Sequence, residues 1–153
     1  MANLTVSLRE NLELNGTQYG SRRGFTITGV NEAFKRIVTV TTSETVLSSF
    51  GAARGNGTFI ESDVRYIRIS NLDATNHVFL VFKNEDNDEF AVKLDRGQSY
   101  IYNADLDGGI VDTMDAAATA LTVAHDMTGA DLVEITAVAN TASCDLEVLV
   151  ACL

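Results

Sequence analysis

Cys144, Cys152, His77 and His125 are the side chains of this sequence best able to do nucleophilic, redox or metal chemistry. Their spacing assembles none of it. Neither cysteine belongs to a C-x-x-C pair or has a histidine beside it, and no G-x-S-x-G elbow is present. On one continuous strand the two thiols would share a face but lie about 26 Å apart at roughly 3.3 Å per residue. That is far beyond the roughly 7 Å that a disulfide spans between Cα atoms. Both are expected to be reduced, buried thiols, in keeping with a chain folded in a reducing cytoplasm. Each histidine sits in a polar turn, Thr75-Asn76-His77 or Ala124-His125-Asp126, where a surface role suffices. No catalytic residue, metal ligand or cofactor-binding residue is assigned, and no cofactor is expected.

Two further groups have the right residue types for binding. Asp105-Leu106-Asp107-Gly108-Gly109 offers carboxylates two residues apart, as calcium loops do. It lacks the glycine at the sixth place and the closing glutamate of an EF-hand, so a turn is the sufficient explanation. Gly20-Ser21-Arg22-Arg23-Gly24 and Arg54-Gly55-Asn56-Gly57 are glycine-flanked and basic, without the pattern of a P-loop or a Rossmann turn. Arginine forks on such segments suit carboxylates of a neighbouring subunit. Arg22, Arg23 and Arg54 are therefore the candidate partner-contact residues.

Those groups have to be positioned by a chain of 153 residues, the length of one domain spanning 1–153. It is 46% hydrophobic and 21% charged, enough apolar material for a core, and has no proline and no tryptophan. Its net charge of −10 argues against nucleic acid and anionic membranes as partners. The charge is uneven: no lysine or arginine follows Arg96. The first residues have neither a basic nor a strongly apolar stretch, so no signal peptide is expected, and no run approaches the roughly 20 apolar residues of a membrane helix.

Period-two alternation recurs along the length. Leu4, Val6, Leu8, Leu12 and Leu14 form an extended first ribbon before the turn dipeptide Asn15-Gly16, and residues 1–15 are a candidate docking ribbon. Strands are expected at Phe25–Thr28, closed by Gly29, at Ile37–Thr42, Thr45–Leu47 and Thr58–Ile60, and at Leu132–Val138 and Leu146–Leu153. Val64–Ser70, Val78–Phe82, Glu89–Leu94 and Tyr100–Tyr102 read as a meander of hairpins. Alanine-rich residues near 112–120 allow at most one short helix. About eight to ten short strands make an all-β antiparallel β-sandwich, with a jelly-roll-like arrangement as the first expectation.

Val64-Arg65-Tyr66-Ile67-Arg68-Ile69-Ser70-Asn71, then an apolar strand, then Phe90-Ala91-Val92-Lys93-Leu94-Asp95-Arg96-Gly97-Gln98-Ser99-Tyr100, resembles small virion proteins of tailed bacteriophages, particularly marine ones. The resemblance covers about a quarter of the chain and has no catalytic signature. It implies a non-enzymatic capsid decoration or cement protein on the virion surface, made in the host cytoplasm. Its partners would be the major capsid protein or other virion proteins, and other copies of itself, a trimer being expected. The alternatives are a tail or fibre component, or a carbohydrate- or receptor-binding sandwich. The last would need exposed aromatics, for which Tyr100 and Tyr102, on one face of a strand, are the obvious supply.

Overall fold

The computed structural model describes residues 1–55, 57–114 and 131–153, and all the regular structure among them is β-strand. The expected helix near 112–120 falls largely on residues 115–120, outside the described residues; Thr113 and Met114 are irregular.

Two sheets face each other across one core. The first has the order β11 (Ser99–Asn103), β8 (Val64–Asn71), β13 (Cys144–Cys152), β5 (Glu32–Val40). The second runs β10 (Glu89–Leu94), β9 (Val78–Asn84), β12 (Leu132–Ala139), β6 (Thr45–Gly51), β7 (Thr58–Ile60). All neighbours are antiparallel except β7, which lies parallel to β6. The expected wholly antiparallel sheet thus gains a short parallel edge, because the glycine-rich segment after Gly51 brings the chain back along its own strand.

Alternation decides what faces inward. On β13, Cys144, Leu146, Val148 and Val150 enter the core while Asp145 and Glu147 face out. Across from them lie Leu80 and Phe82 of β9 and Ile135 and Ala137 of β12, all fully buried. Each large apolar side chain removed from water in this way contributes about 1.5–3 kcal/mol. Phe82 ties the sheets together: its ring stacks on Phe90 at 4.8 Å within its own sheet and meets Tyr100 of the opposite sheet at 5.0 Å.

The expected meander is corrected. Only β9 and β10 form a hairpin; β8 and β9 lie in different sheets, and β11 pairs with β8 rather than β10. Asn71, 2% exposed, makes this corner. Its amide nitrogen donates to the carbonyls of Asn76 and Leu94, and its side-chain oxygen accepts from the Asp73 N–H. A buried amide satisfied in this way turns the chain across the sandwich instead of back along the same sheet.

Two irregularities redirect side chains. The pairing of β8 with β13 shifts between Ala151 and Cys152, leaving Arg65 as a bulge residue, so Val64 joins the core while Tyr66 faces outward. Arg65 is 5% exposed and donates to the carbonyls of Ser62, Val64, Leu106 and Asp107. The second bulge is at Gly29, whose φ of +81° lies in the region glycine favours. Gly29 was expected to close its strand; instead it lies within β4 (Arg22–Val30) and brings Ile27 and Val30 to the same apolar cluster.

Candidate functional site

The part of the molecule furthest from a finished interior is its first 30 residues. β1 (Ala2–Arg9) pairs with β4 in a register that runs from Leu4 opposite Ile27 to Arg9 opposite Arg22. Backbone bonds from Glu10 N–H to the Ser21 carbonyl and from Tyr19 N–H to the Leu12 carbonyl carry the same register onward. It ends in β2 (Glu13–Leu14) and β3 (Thr17–Gln18) around Asn15 and Gly16, with φ of +52° and +77°. Two consecutive positive φ values are what a tight primed hairpin turn requires. The first ribbon is therefore one continuous hairpin, longer than the 1–15 segment singled out from sequence. Arg22 and Arg23 lie on its second strand rather than in a loop.

Side chains two apart share a face, so one side of this hairpin carries Leu4, Val6, Leu8, Leu12 and Leu14 with Tyr19, Phe25 and Ile27. The near end is covered. Leu4, Val6, Ile27 and Val30 pack with Tyr66, Leu149, Ala151 and Leu153 on the outer face of the four-stranded sheet. The far end is not: Leu8, Leu12, Leu14 and Tyr19 are 53–62% exposed. Gly20 and Gly24 permit the close strand approach, since a Cβ at either would meet the Glu10 or Val6 carbonyl at 2.4 or 2.9 Å.

The ribbon also holds a cluster of cations. Arg9 and Arg22 stand directly opposite each other on the side away from the leucines, while Arg23, opposite Leu8, lies on the leucine side. Among the described residues none of the three has a carboxylate at ion-pair distance. The ribbon's own carboxylates are engaged internally: Glu10 accepts from the Ser21 hydroxyl at 2.7 Å, and Glu13 from the Gln18 amide at 3.1 Å. Like charges directly opposite on paired strands are destabilising, and an anion from elsewhere would relieve them.

Arg54, the third candidate contact residue, belongs to another place. It pairs with Glu32 at 2.9 Å beside a cleft of about 220 Å³ lined also by Phe34, Arg36, Phe59, Asp63 and Cys152. Arg36 donates to the Leu47 carbonyl and lies 5.2 Å from the Phe34 ring centre. Burial, reinforced by Glu32 and Asp63, pushes the Cys152 thiol up to about 11, so it is protonated at neutral pH. Cys144, whose thiol is also raised by burial, is free like Cys152.

The acidic turn is held by its own backbone. Asp105 accepts the N–H of Asp107, and bonds to the Asp107 and Gly108 amides hold its carboxyl below the usual range. The loop's Leu106 and Asp107 carbonyls are taken by Arg65, so the cation this turn binds is a guanidinium of the same chain. No cluster of three potential metal ligands occurs among the described residues. His77 sits edge-on to Phe79 at 5.2 Å, and His125 lies outside the described residues. Tyr100 and Tyr102 turn inward against Phe82, Tyr102 bonding Thr113 at 2.8 Å, so they form no open sugar-stacking platform.

One surface that sequence reasoning missed is the outer face of the five-stranded sheet. Pairing sets Val46, Thr136, Val81 and Ala91 in a row across it, with Phe79 on the same face. Val46 is 49% and Phe79 40% exposed. A groove of about 250 Å³ there is lined by Glu44, Val46, Val81, Lys83, Glu89, Glu134 and Thr136. Odd-numbered Phe79 and Val81 hint at an apolar outer face, but only strand order places Val46 and Thr136 beside them.

No protein-family model matches the chain, and no curated protein matches it.

Proposed function

We propose that this is a non-enzymatic assembly protein, in particular a capsid decoration protein that binds the outer shell of a tailed-phage-type head and ties its subunits together. The observation that carries this reading is the ribbon: an apolar, arginine-bearing hairpin anchored at its base on the sandwich and uncovered over its outer half. An isolated two-stranded hairpin is marginally stable in water, and an uncovered apolar face gains by meeting another protein.

Strand order supports the same reading. Counted along the chain, the eight strands β5, β6 and β8 to β13 form one sheet in the order first, eighth, third, sixth and the other in the order second, seventh, fourth, fifth. We read this as a jelly roll, the sandwich of many viral capsid and lectin domains. Fold alone does not assign function; the resemblance of residues 64–100 to phage virion proteins is what favours the shell. The strongly acidic remainder would keep decorated particles apart.

The test is binding of the purified protein to tailed-phage heads before and after expansion. Saturable binding that appears on expansion and protects heads against heat supports decoration. Binding to neither form, with capture on glycans instead, overturns it.

A further inference from the structure

The uncovered half of the ribbon has a complementary surface on the same chain. We propose that Leu8 to Arg23 of one copy docks on the outer face of the five-stranded sheet of a second copy, across Val46, Thr136, Val81 and Phe79. This builds on the ribbon as an assembly element and names the partner: another molecule of this protein.

Three observations carry it. The sandwich has two outer faces and the ribbon's base already covers one, that of the four-stranded sheet. Among the described residues no strand covers the opposite face, where Val46 and Phe79 are 49% and 40% exposed on either side of the buried Thr136. A ribbon laid there would bury Leu8, Leu12, Leu14 and Tyr19 against Val46, Val81 and Phe79.

Charge selects that face. The ribbon, residues 2–30, has three arginines and two glutamates, whereas the other residues have eight basic and nineteen acidic groups. Beside the apolar row stand Glu44, Glu89 and Glu134, with Lys83, paired across the strands with Glu89 and Glu134, as the one cation among the described residues that line the groove; Lys93 lies further along, 3.9 Å from Asp95. Glu44 is bonded by the Thr136 hydroxyl at 2.7 Å through one carboxylate oxygen. Arg23, which stands opposite Leu8 on the leucine side of the ribbon and has no carboxylate at ion-pair distance among the described residues, would meet these glutamates, while Arg9 and Arg22 stay on the ribbon's other side. Complementarity of this kind sets register and excludes wrong partners.

The contact joins unlike surfaces, so each copy would give a ribbon to one neighbour and receive one from another. Such head-to-tail contacts close into rings or continue as filaments. The ring is the form compatible with a discrete decoration unit.

The experiment measures mass by light scattering across dilution, with the protein alone and no shell present, so its outcome is independent of head binding. Wild type is expected to form a discrete oligomer that dissociates on dilution and in high salt. A ribbon variant, Leu12→Asp with Leu14→Asp, and an acceptor variant, Glu89→Lys with Glu134→Lys, should each raise the dissociation constant by roughly 100-fold or more. Mixed in equal amounts, these two should recover a one-to-one dimer, because each supplies the surface the other lacks. Val46→Lys, at an exposed position, is the second acceptor variant, and far-ultraviolet circular dichroism confirms that each variant folds. A wild type that is monomeric throughout overturns the proposal. So do folded acceptor variants that associate like wild type, the result expected if ribbons pair with ribbons, and a mixture that stays monomeric.

Discussion

At the scale of single residues, the two thiols are withdrawn from solvent. Cys152 is 2% exposed and its thiol is pushed up to about 11. At pH 8 a thiol of that kind has roughly 100-fold less thiolate than an ordinary cysteine. A thiol reagent should therefore leave Cys152 and Cys144 unmodified in the native protein and label both promptly in denaturant. Fast native labelling of either would contradict the burial. Glu147 is the opposite case. Bonds from Lys35 at 2.8 Å and Arg68 at 2.5 Å hold its carboxyl below the usual range. A lowered folded-state value means stability that is present above the ordinary glutamate range and lost as pH falls through the folded value. Glu147→Gln should thus be less stable than wild type at neutral pH, and the gap should close on acidification. Denaturant melts at several pH values check this, and a gap that widens in acid would refute it. Arg65 places one guanidinium among four backbone carbonyls. Arg65→Met should cost about 2–4 kcal/mol, since the loop carbonyls lose their donor. Lysine, with a single point of donation, should recover only part of that loss in urea unfolding.

Among the elements, the hairpin of residues 2–30 is unusual in having two unlike halves on one continuous register. Its inner half is part of the folded unit: Ile27 is 3% exposed and packs with Tyr66 and Ala151. Its outer half contributes nothing to the interior. Ile27→Ala should cost about 2–4 kcal/mol through the cavity it leaves. Leu12→Ala, measured under dilute monomeric conditions, should stay within about 0.5 kcal/mol of wild type. Equal losses at the two sites would mean that the outer half folds against the body. The bulges at Arg65 and Gly29 belong to this scale as well, because each puts side chains on a face that strict alternation would deny them.

For the molecule as a whole, the dominant asymmetry among the described residues is between a sealed sandwich and two apolar surfaces, the outer ribbon and the outer face of the five-stranded sheet, that no described element covers. Five of the seven pairings in the two sheets join strands distant in sequence, as when Cys144–Cys152 lies between Glu32–Val40 and Val64–Asn71. Opening such a structure requires global unfolding, whereas the outer ribbon opens locally. In amide exchange, β8, β9, β12 and β13 should be protected to the limit of global stability, and residues 8–23 should exchange rapidly in the monomer. On association the ribbon amides should become protected. Ribbon exchange that is unchanged between dilute and concentrated protein would count against any docking role.

Much of this was legible in the sequence for a physical reason: a strand facing a core repeats every two residues, and that repeat is local. Leu146, Val148 and Val150 announce β13, and Asn15-Gly16 announces a hairpin tip, without reference to any other part of the chain. The all-β class and two free thiols facing one way follow from the same local pattern. Which sheet a strand joins does not. Val64–Asn71 and Val78–Asn84 look like a hairpin from their spacing, and the buried Asn71 amide sends them to opposite sheets. Tyr100 and Tyr102 alternate as a surface pair would, and only the position of Phe82 across the core turns them inward. The row formed by Val46, Thr136 and Val81 comes from three strands far apart in the chain. Contacts of that kind depend on how the sheets close, which is decided by burial summed over the whole molecule and leaves no periodic trace in any one segment.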